Sequence, residues 1–152
     1  MIKVLFVCHG NICRSPMAEF ILKDKVRKLK IDKLFDIDSA AVSREEIGNG
    51  IYFKALKTLK QHNILNVHHI ARQITKNDYE YYDFIFMMDQ SNISRFNYLI
   101  GNDYLNKVSL IGDYIEKGKN IEDPWYTDNF ELVYNQLDDA IEKFLKEIEK
   151  VN

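Results

Sequence analysis

Apolar residues form a near-continuous run at the start of the chain, and their spacing changes directly after it. The run IKVLFV, Ile2 to Val7, is rich in branched side chains, which is typical of a strand buried on both faces of a parallel sheet. After the stretch CHGNICR, apolar residues recur at helical spacing from Ala18 to Leu29. Ser15 and Pro16 suit the N-cap and the first position of that helix. The pattern therefore predicts a strand, a short loop and a helix.

The same change of period recurs along the rest of the chain. Three further strands are predicted, LFDIDSAA at 34–41, DFIFMM at 83–88 and KVSLI at 107–111. A helix that ends near Asn63 follows the second strand. A helix with Asp89 or Ser91 as its N-cap follows the third strand and continues to about Ile100.

The last quarter of the chain predicts one long amphipathic helix that packs on the sheet. From Phe130 onward its apolar face consists of Val133, Leu137, Ala140, Ile141, Phe144, Ile148 and Val151. Four strands that alternate with four or five helices predict an α/β fold, a doubly wound four-stranded parallel sheet with helices on both faces. We expect the flavodoxin-like strand order 2-1-3-4 and one domain over residues 1–152. In such sheets ligands bind beyond the carboxyl ends of the strands, so the loop after the first strand is the first candidate site.

Composition narrows the possible functions. The chain has 152 residues, of which 46% are hydrophobic and 29% charged, as in an ordinary globular protein. Its net charge of −2 gives no general reason to bind nucleic acid or an anionic membrane, so any anion site must be local. The early apolar run is too short for a signal peptide or a membrane span, and we expect a cytoplasmic protein, with export by a route that reads no signal peptide left open. Two cysteines are too few for a disulfide framework or a structural zinc site.

Cys8 and Arg14 frame the loop after the first strand. A short loop that curls back before a helix can point several backbone N–H groups inward, and the helix N-terminus adds about half a positive charge. Gly10 permits the tight turn, and Arg14 can direct two donors onto a tetrahedral oxyanion. The same positive field favours the thiolate form of Cys8, a nucleophile aimed at a bound phosphate. A lone C-x5-R also occurs by chance, and Cys8 is then only a small core residue.

The whole stretch VLFVCHGNICRSPMAE at 4–19 is far more specific, and it resembles the low-molecular-weight protein tyrosine phosphatase family. Four further segments each resemble a family segment in the family's order: DSAAVS at 38–43, HIARQIT at 69–75, YDFIFMMDQSN at 82–92 and DPWYTDNF at 123–130.

The resemblance implies a two-step phosphoryl transfer without metal or other cofactor. Cys8 attacks phosphorus to give a cysteinyl-phosphate, which water then hydrolyses. Asp123 of DPW is the matching general acid, which protonates the departing tyrosyl oxygen and later takes a proton from water. The phosphate is held by Arg14 and by the remaining loop residues, His9, Gly10, Asn11, Ile12, Cys13 and Ser15. The implied partners are tyrosine-phosphorylated proteins and inorganic phosphate, as product and inhibitor, and a monomer is expected.

Other residues are implied to support these roles. Ser15 serves both as helix cap and as a hydroxyl that hydrogen-bonds the Cys8 thiolate. The buried network of the family is matched by Asn11, Ser39 and His69, and Asn11 holds the loop in a left-handed conformation that Asn tolerates. The cleft is walled by Trp125 and Tyr126, which stack on the substrate ring.

Four positions bear on specificity and regulation. Ile12 favours phosphotyrosine, since family members that resemble arginine phosphatases tend to carry Thr there. Glu45 stands where many members place an aromatic wall residue, and Tyr52 is the candidate replacement for that wall. We expect Glu45 to weaken the binding of acidic peptides and to favour basic ones. Two roles stay open for Cys13, a reversible disulfide with Cys8 or a buried loop thiol.

Three other functions would use part of the same set of residues. An arsenate reductase of the same fold needs relay cysteines, and none follows Cys13. A non-catalytic phosphate-binding or phosphotyrosine-binding module would need the loop but not Asp123. A thiol redox protein using Cys8 and Cys13 lacks the C-x-x-C spacing and leaves Arg14 and Asp123 unexplained.

Overall fold

The computed structural model describes residues 1–151, with side chains through residue 150. The predicted domain end at Asn152 and the side chain of Val151 therefore lie outside the described residues. The strands are β1 (Ile2–Cys8), β2 (Phe35–Ala41), β3 (Phe84–Met87) and β4 (Val108–Leu110). They form one parallel sheet in the order β2-β1-β3-β4, which confirms the predicted fold.

Among residues 1–151, six α-helices surround this sheet, and two of them were not predicted. They are α1 (Arg14–Lys28), α2 (Phe53–Gln61), α3 (Lys76–Tyr81), α4 (Gln90–Leu99), α5 (Pro124–Thr127) and α6 (Phe130–Val151). The short helices α3 and α5 are too brief to show a helical period, and 3₁₀ turns at Asp32–Leu34 and Ile111–Tyr114 were missed for the same reason. Thr75 does form a capping box with Asp78 at the start of α3, a local signal that was available in the sequence.

The start of α1 differs from the prediction. The helix begins at Arg14, and Cys13 occupies the N-cap position without a side-chain cap hydrogen bond. The prediction that Ser15 caps this helix is therefore wrong. Ser15 lies in the first helical turn, where its buried hydroxyl contacts Cys8 and Asn11 instead. The tertiary contacts of the hydroxyl outweigh its local capping preference.

Two apolar layers cover the two faces of the sheet, and β1 contributes to both. Val4, Phe6 and Cys8 face the layer built with α1 and α6, whereas Leu5 and Val7 face the layer next to α3 and α4. This alternation explains the continuous apolar run, because every side chain in the central part of β1 is buried. The predicted apolar face of α6 is confirmed. Ile148 is partly buried, and five side chains of this face are fully buried: Val133, Leu137, Ala140, Ile141 and Phe144.

A segment after β4 returns to the carboxyl edge of the sheet. The backbone N–H of Ile121 donates to Met88 O at 2.8 Å, just past β3. A Cβ atom at Gly112 would lie 2.0 Å from Lys119 O, so the tight approach of this segment requires glycine. The hydrogen bond from Ile121 to Met88 holds this segment in place, so Asp123, two residues later, lies beside the end of β1.

Candidate active site

The loop from Cys8 to Arg14 closes between the end of β1 and the start of α1, as the motif predicted. Within the loop, Asn11 has a left-handed backbone conformation, with a φ of +61°. Gly10 does not take a positive φ, so the backbone conformation at this position does not itself require glycine. The absence of a side chain at Gly10 instead leaves room for Glu46, whose Cγ would lie 3.3 Å from an added Cβ.

Asn11 holds the loop in shape through its side chain and its backbone. The residue is fully buried. Its Nδ2 donates to Ser15 Oγ at 2.8 Å and to Ser39 Oγ at 2.9 Å, while its Oδ1 accepts from the Arg72 backbone N–H at 3.1 Å. The nitrogen Nε2 of His69 lies 2.6 Å from the Asn11 carbonyl oxygen, which can only accept. The structure therefore brings together Asn11, Ser39 and His69, the three predicted members of the supporting network.

The direction of these hydrogen bonds determines what reaches the Cys8 sulfur. Because the Arg72 N–H can only donate, it fixes Oδ1 of Asn11 toward itself and Nδ2 toward the serines. Ser15 Oγ consequently accepts from Asn11, and its own proton is free for Cys8 Sγ at 3.0 Å, which is nearer than Ala40 O at 3.5 Å. The Asn11 backbone N–H donates to the same sulfur at 3.3 Å. Two donors thus converge on Sγ, an arrangement suited to a thiolate.

Glu19 is a buried acidic residue that the sequence analysis missed as a member of this network. It is 3% exposed, and its Oε1 accepts from Ser39 Oγ at 2.6 Å. Its Oε2 lies 2.6 Å from Lys23 Nζ, and Nδ1 of His69 is 3.9 Å from Oε1. A carboxylate only accepts, so Ser39 donates to Glu19 and accepts from Asn11. The available signal was an acidic residue among the apolar positions of α1.

Arg14 is buried, at 3% exposure, and is positioned by two groups on Nη1. Nη1 donates to Asp89 Oδ2 at 2.7 Å and to the Ile121 carbonyl oxygen at 2.9 Å. Burial lowers the pKa of Arg14, but the charges of Cys8, Asp89 and Asp123 outweigh it and the pKa is raised. Burial likewise opposes ionisation of Asp89, yet hydrogen bonds from Ser91 and Arg14 lower the pKa of that carboxyl. Nε and Nη2 of Arg14 are left to donate to a bound oxyanion.

Asp89 was predicted only as a helix cap, and the structure gives it a second role. Its side chain accepts from the backbone N–H of Asn92, as an N-cap does, and it also pairs with Arg14 across the carboxyl edge of the sheet. A residue 75 positions from Arg14 gives no pairing signal in the sequence alone.

Asp123 approaches the same guanidinium from the start of α5. It is the N-cap of that helix, where Oδ1 accepts from the Trp125 N–H at 3.0 Å. Pro124 at the first helical position has no N–H to satisfy, so the Asp-Pro pair begins the helix without cost. Oδ2 of Asp123 lies 3.6 Å from Arg14 Nη2, so the carboxyl group is directed at the cleft.

A cleft of about 290 Å³ opens above the loop. Most of the predicted loop residues line it, together with the predicted acid and wall residues and with Glu46, which was not predicted: Cys8, His9, Gly10, Ile12, Cys13, Arg14, Glu45, Glu46, Asp123, Trp125 and Tyr126. The other two predicted loop residues, Asn11 and Ser15, are fully buried and do not line the cleft. Trp125 is 55% exposed and Tyr126 85% exposed, so both rings are available to a ligand. At the rim His9 Nε2 lies 3.0 Å from Glu45 Oε2.

Tyr52 does not line the cleft, so the prediction that it replaces the missing wall is wrong. Its ring packs behind Trp125 and beside Phe130, with centroid distances of 4.9 and 5.8 Å. Its backbone N–H donates to Ile12 O at 2.9 Å, which ties the loop to the start of α2. Tyr52 therefore supports the wall and the loop.

Cys13 is a free, buried thiol beside the candidate nucleophile. Burial raises the pKa of Cys13 far above its ordinary value, and the neighbouring charges of Cys8 and Asp123 raise it further. At neutral pH Cys13 is therefore protonated, whatever its role in oxidation.

Among the residues that the structure describes, no group of three or more His, Cys, Asp or Glu side chains is arranged to hold a metal ion. Within the same residues, no helix combines the length and the apolar character needed to cross a membrane.

Comparison with known proteins points to one family. The family model for low molecular weight phosphotyrosine protein phosphatases matches residues 3–152. A relative of that name from Schizosaccharomyces pombe is 40% identical over 152 residues, covering 97% of each chain. The crystal structure of YfkJ from Bacillus subtilis has a TM-score of 0.93 and 35% identity, covering 100% of this chain and 97% of that one. The crystal structure of DARP, a Drosophila arginine phosphatase, is also 35% identical, with a TM-score of 0.85 and coverage of 97% and 98%.

The hydrogen bonds of Asn11 predict that replacing this residue by either alanine or glycine lowers the stability of the protein. Asn11→Ala removes three side-chain hydrogen bonds and places Ala at a positive φ, so we expect the free energy of unfolding to fall by about 4 kcal/mol. Asn11→Gly avoids the backbone strain but still removes the three hydrogen bonds, so its free energy of unfolding should fall by about 3 kcal/mol. Urea unfolding measures both values.

Asn63 provides the matched control, because it has a φ of +62° and an exposed side chain. Asn63→Gly should change the free energy of unfolding by no more than a few tenths of a kcal/mol. If Asn11→Gly were as stable as the wild type, the hydrogen bonds of Asn11 would not hold the loop.

Proposed function

The chain belongs to the low molecular weight phosphotyrosine protein phosphatase family, and from that premise we propose that Cys8 forms a cysteinyl-phosphate with Asp123 as general acid and base. Membership makes the chain a protein tyrosine phosphatase, a cysteine-dependent hydrolase. The observation that carries the mechanism is the convergence of Cys8, Arg14 and Asp123 on one cleft. We further propose that tyrosine-phosphorylated proteins are the substrates and that inorganic phosphate is both product and inhibitor.

In the first step the phosphoryl group lies over the loop. Its three equatorial oxygens take hydrogen bonds from the loop amides and from Arg14, whose guanidinium is already oriented by Asp89 and Ile121 O. Cys8 Sγ attacks phosphorus from the side opposite the leaving oxygen. The S–P bond forms as the P–O bond breaks, and protonated Asp123 gives its proton to the departing phenolic oxygen.

In the second step water releases the phosphate. Asp123, now a carboxylate, takes a proton from a water molecule as the water oxygen attacks phosphorus. The S–P bond breaks and Cys8 leaves as a thiolate. Ser15 Oγ, 3.0 Å from Sγ, and the Asn11 N–H, 3.3 Å from it, stabilise the charge that returns to sulfur.

The cleft wall favours an aromatic substrate. A phosphotyrosine ring inserted above the loop would lie against the exposed rings of Trp125 and Tyr126. Ile12 lines the same cleft with an apolar side chain, which supports the proposed preference for phosphotyrosine over phosphoarginine.

Cys8→Ser tests the nucleophile. The wild type should hydrolyse p-nitrophenyl phosphate in EDTA at slightly acid pH, and Cys8→Ser should lower kcat by at least about 10³-fold, because a serine hydroxyl is not ionised there. Urea unfolding of the variant checks that it is folded. An inactive, fully reduced wild type would instead make the chain a phosphate-binding module.

Asp123→Asn tests the general acid. We expect kcat/KM, which reports the first step, to fall by about 10²–10⁴-fold, with a larger loss for phenyl phosphate than for p-nitrophenyl phosphate, since the better leaving group needs less protonation. Asp128→Asn, in the same segment but paired with Lys54, should leave the ratio of the two substrates unchanged. Equal losses for both substrates in Asp123→Asn would exclude proton donation by Asp123.

Because Glu45 and Glu46 lie at the rim of the cleft, we expect the enzyme to discriminate between peptides by the charge of the residue next to the phosphotyrosine. A peptide with Lys adjacent to phosphotyrosine should have a higher kcat/KM than one with Glu, and Glu45→Gln should reduce this ratio by about 2- to 5-fold at low ionic strength. Glu149→Gln, an exposed site at the end of α6, serves as the charge control. An unchanged ranking in Glu45→Gln would remove Glu45 from substrate selection.

A further inference from the structure

A second groove lies beside the cleft, between the segment after β2 and helix α4. It has a volume of about 470 Å³ and is lined by residues 42–45, Gln73 and the α4 residues Arg95, Tyr98 and Leu99. A hollow along α4, which includes Ser91 and Ser94, adjoins it at Arg95 and Tyr98. We call the two together the arginine groove.

The arginine groove is continuous with the candidate active site. Glu45 lines both the cleft and the groove. The segment that carries Glu45 is hydrogen-bonded along the phosphate loop, with Val42 N–H donating to Cys8 O and Ser43 N–H to His9 O, each at 3.0 Å. A peptide chain that leaves the cleft across Glu45 therefore enters the groove directly.

Two of the three charged residues that line this groove are arginines, and the third is Glu45, whose carboxylate lies 3.0 Å from His9 Nε2. Arg44 and Arg95 are both exposed, and neither guanidinium group has an ion pair or a hydrogen bond among the described residues. The other three arginines of the chain, Arg14, Arg27 and Arg72, are all paired with carboxylates. Two unpaired guanidinium groups in one concave surface create a local positive potential on a protein of net charge −2.

The apolar part of the groove suits a polypeptide better than a small anion. Tyr98 is 92% exposed and Leu99 41% exposed, which leaves a ring and a branched side chain beside the arginines. Tyrosine and arginine are enriched in protein interfaces, where the ring supplies contact area and the guanidinium fixes a carboxylate.

We propose that the arginine groove binds acidic side chains of the phosphorylated protein substrate, a few residues away from the phosphotyrosine. This inference rests on the proposed function. It also predicts that an acidic residue weakens binding at one position of the peptide and strengthens binding at another. An acidic residue next to the phosphotyrosine meets Glu45 and Glu46, whereas one that reaches the groove meets Arg44 and Arg95.

The test is a series of phosphotyrosine peptides that carry one Glu in a neutral background, moved from one to about seven residues away on either side. We expect kcat/KM to fall when Glu is adjacent and to rise by about 3- to 10-fold on one side at about three to six residues, where an extended chain reaches the groove. The gain should decrease with added salt, since the charges are exposed.

The double variant Arg44→Gln, Arg95→Gln should lose this gain and keep the wild-type kcat/KM for p-nitrophenyl phosphate and for the neutral peptide. Lys146→Gln is the control for lost charge, because Lys146 is exposed on α6, which packs on the other face of the sheet. This variant should retain the full gain.

The outcomes separate the two proposals. If neither p-nitrophenyl phosphate nor the neutral peptide is hydrolysed, the proposed function fails. If both are hydrolysed but no position of Glu gives a gain, or the gain survives in the double variant, the groove is not a subsite for acidic residues. Binding of the wild type to phosphatidylserine vesicles without any peptide gain would overturn the inference in favour of a lipid surface.

Discussion

The loop from Cys8 to Arg14 depends on a network of hydrogen bonds in which the direction of every donor is determined. It starts at Glu19, a carboxylate that accepts from Ser39, and passes through the amide of Asn11 to Ser15 and the Cys8 sulfur. The two Nδ2 hydrogens of Asn11 are donated in opposite directions, so Ser39 is left to donate to Glu19 and Ser15 is left to donate to Cys8 Sγ. The buried carboxylate on α1 and the Arg72 backbone N–H that faces the Asn11 amide therefore determine where a serine proton points beside β1.

A second constraint is the balance of charge around Arg14. The guanidinium is buried, and its desolvation is offset by Asp89 at 2.7 Å and by a backbone carbonyl. Because these partners bind Nη1, the side chain is oriented in the absence of substrate, and the proposed phosphoryl transfer needs no reorganisation of this group. The segment around Ile121 contributes both that carbonyl and, two residues later, Asp123, the proposed general acid.

The sequence predicted the parts of this molecule that depend on local patterns. The strands were found because β1 is buried on both faces, and the loop was found because Cys8 and Arg14 bracket a helix start. Glu19 and Asp89 were missed as site residues because their partners come from distant parts of the chain. Ser15 was assigned as a cap on local preference, which a tertiary contact outweighed. Tyr52 was assigned to the wall, but its ring packs behind Trp125.

The rim carries charges of opposite sign on neighbouring positions of one segment, Arg44 and Glu45. Such an arrangement is a surface dipole beside the mouth of the cleft. A polypeptide with an uneven charge distribution would experience a torque before contact, so that it arrives already aligned with the cleft. This alignment would mainly increase the rate of association, which depends on ionic strength, and would have less effect on the lifetime of the bound complex.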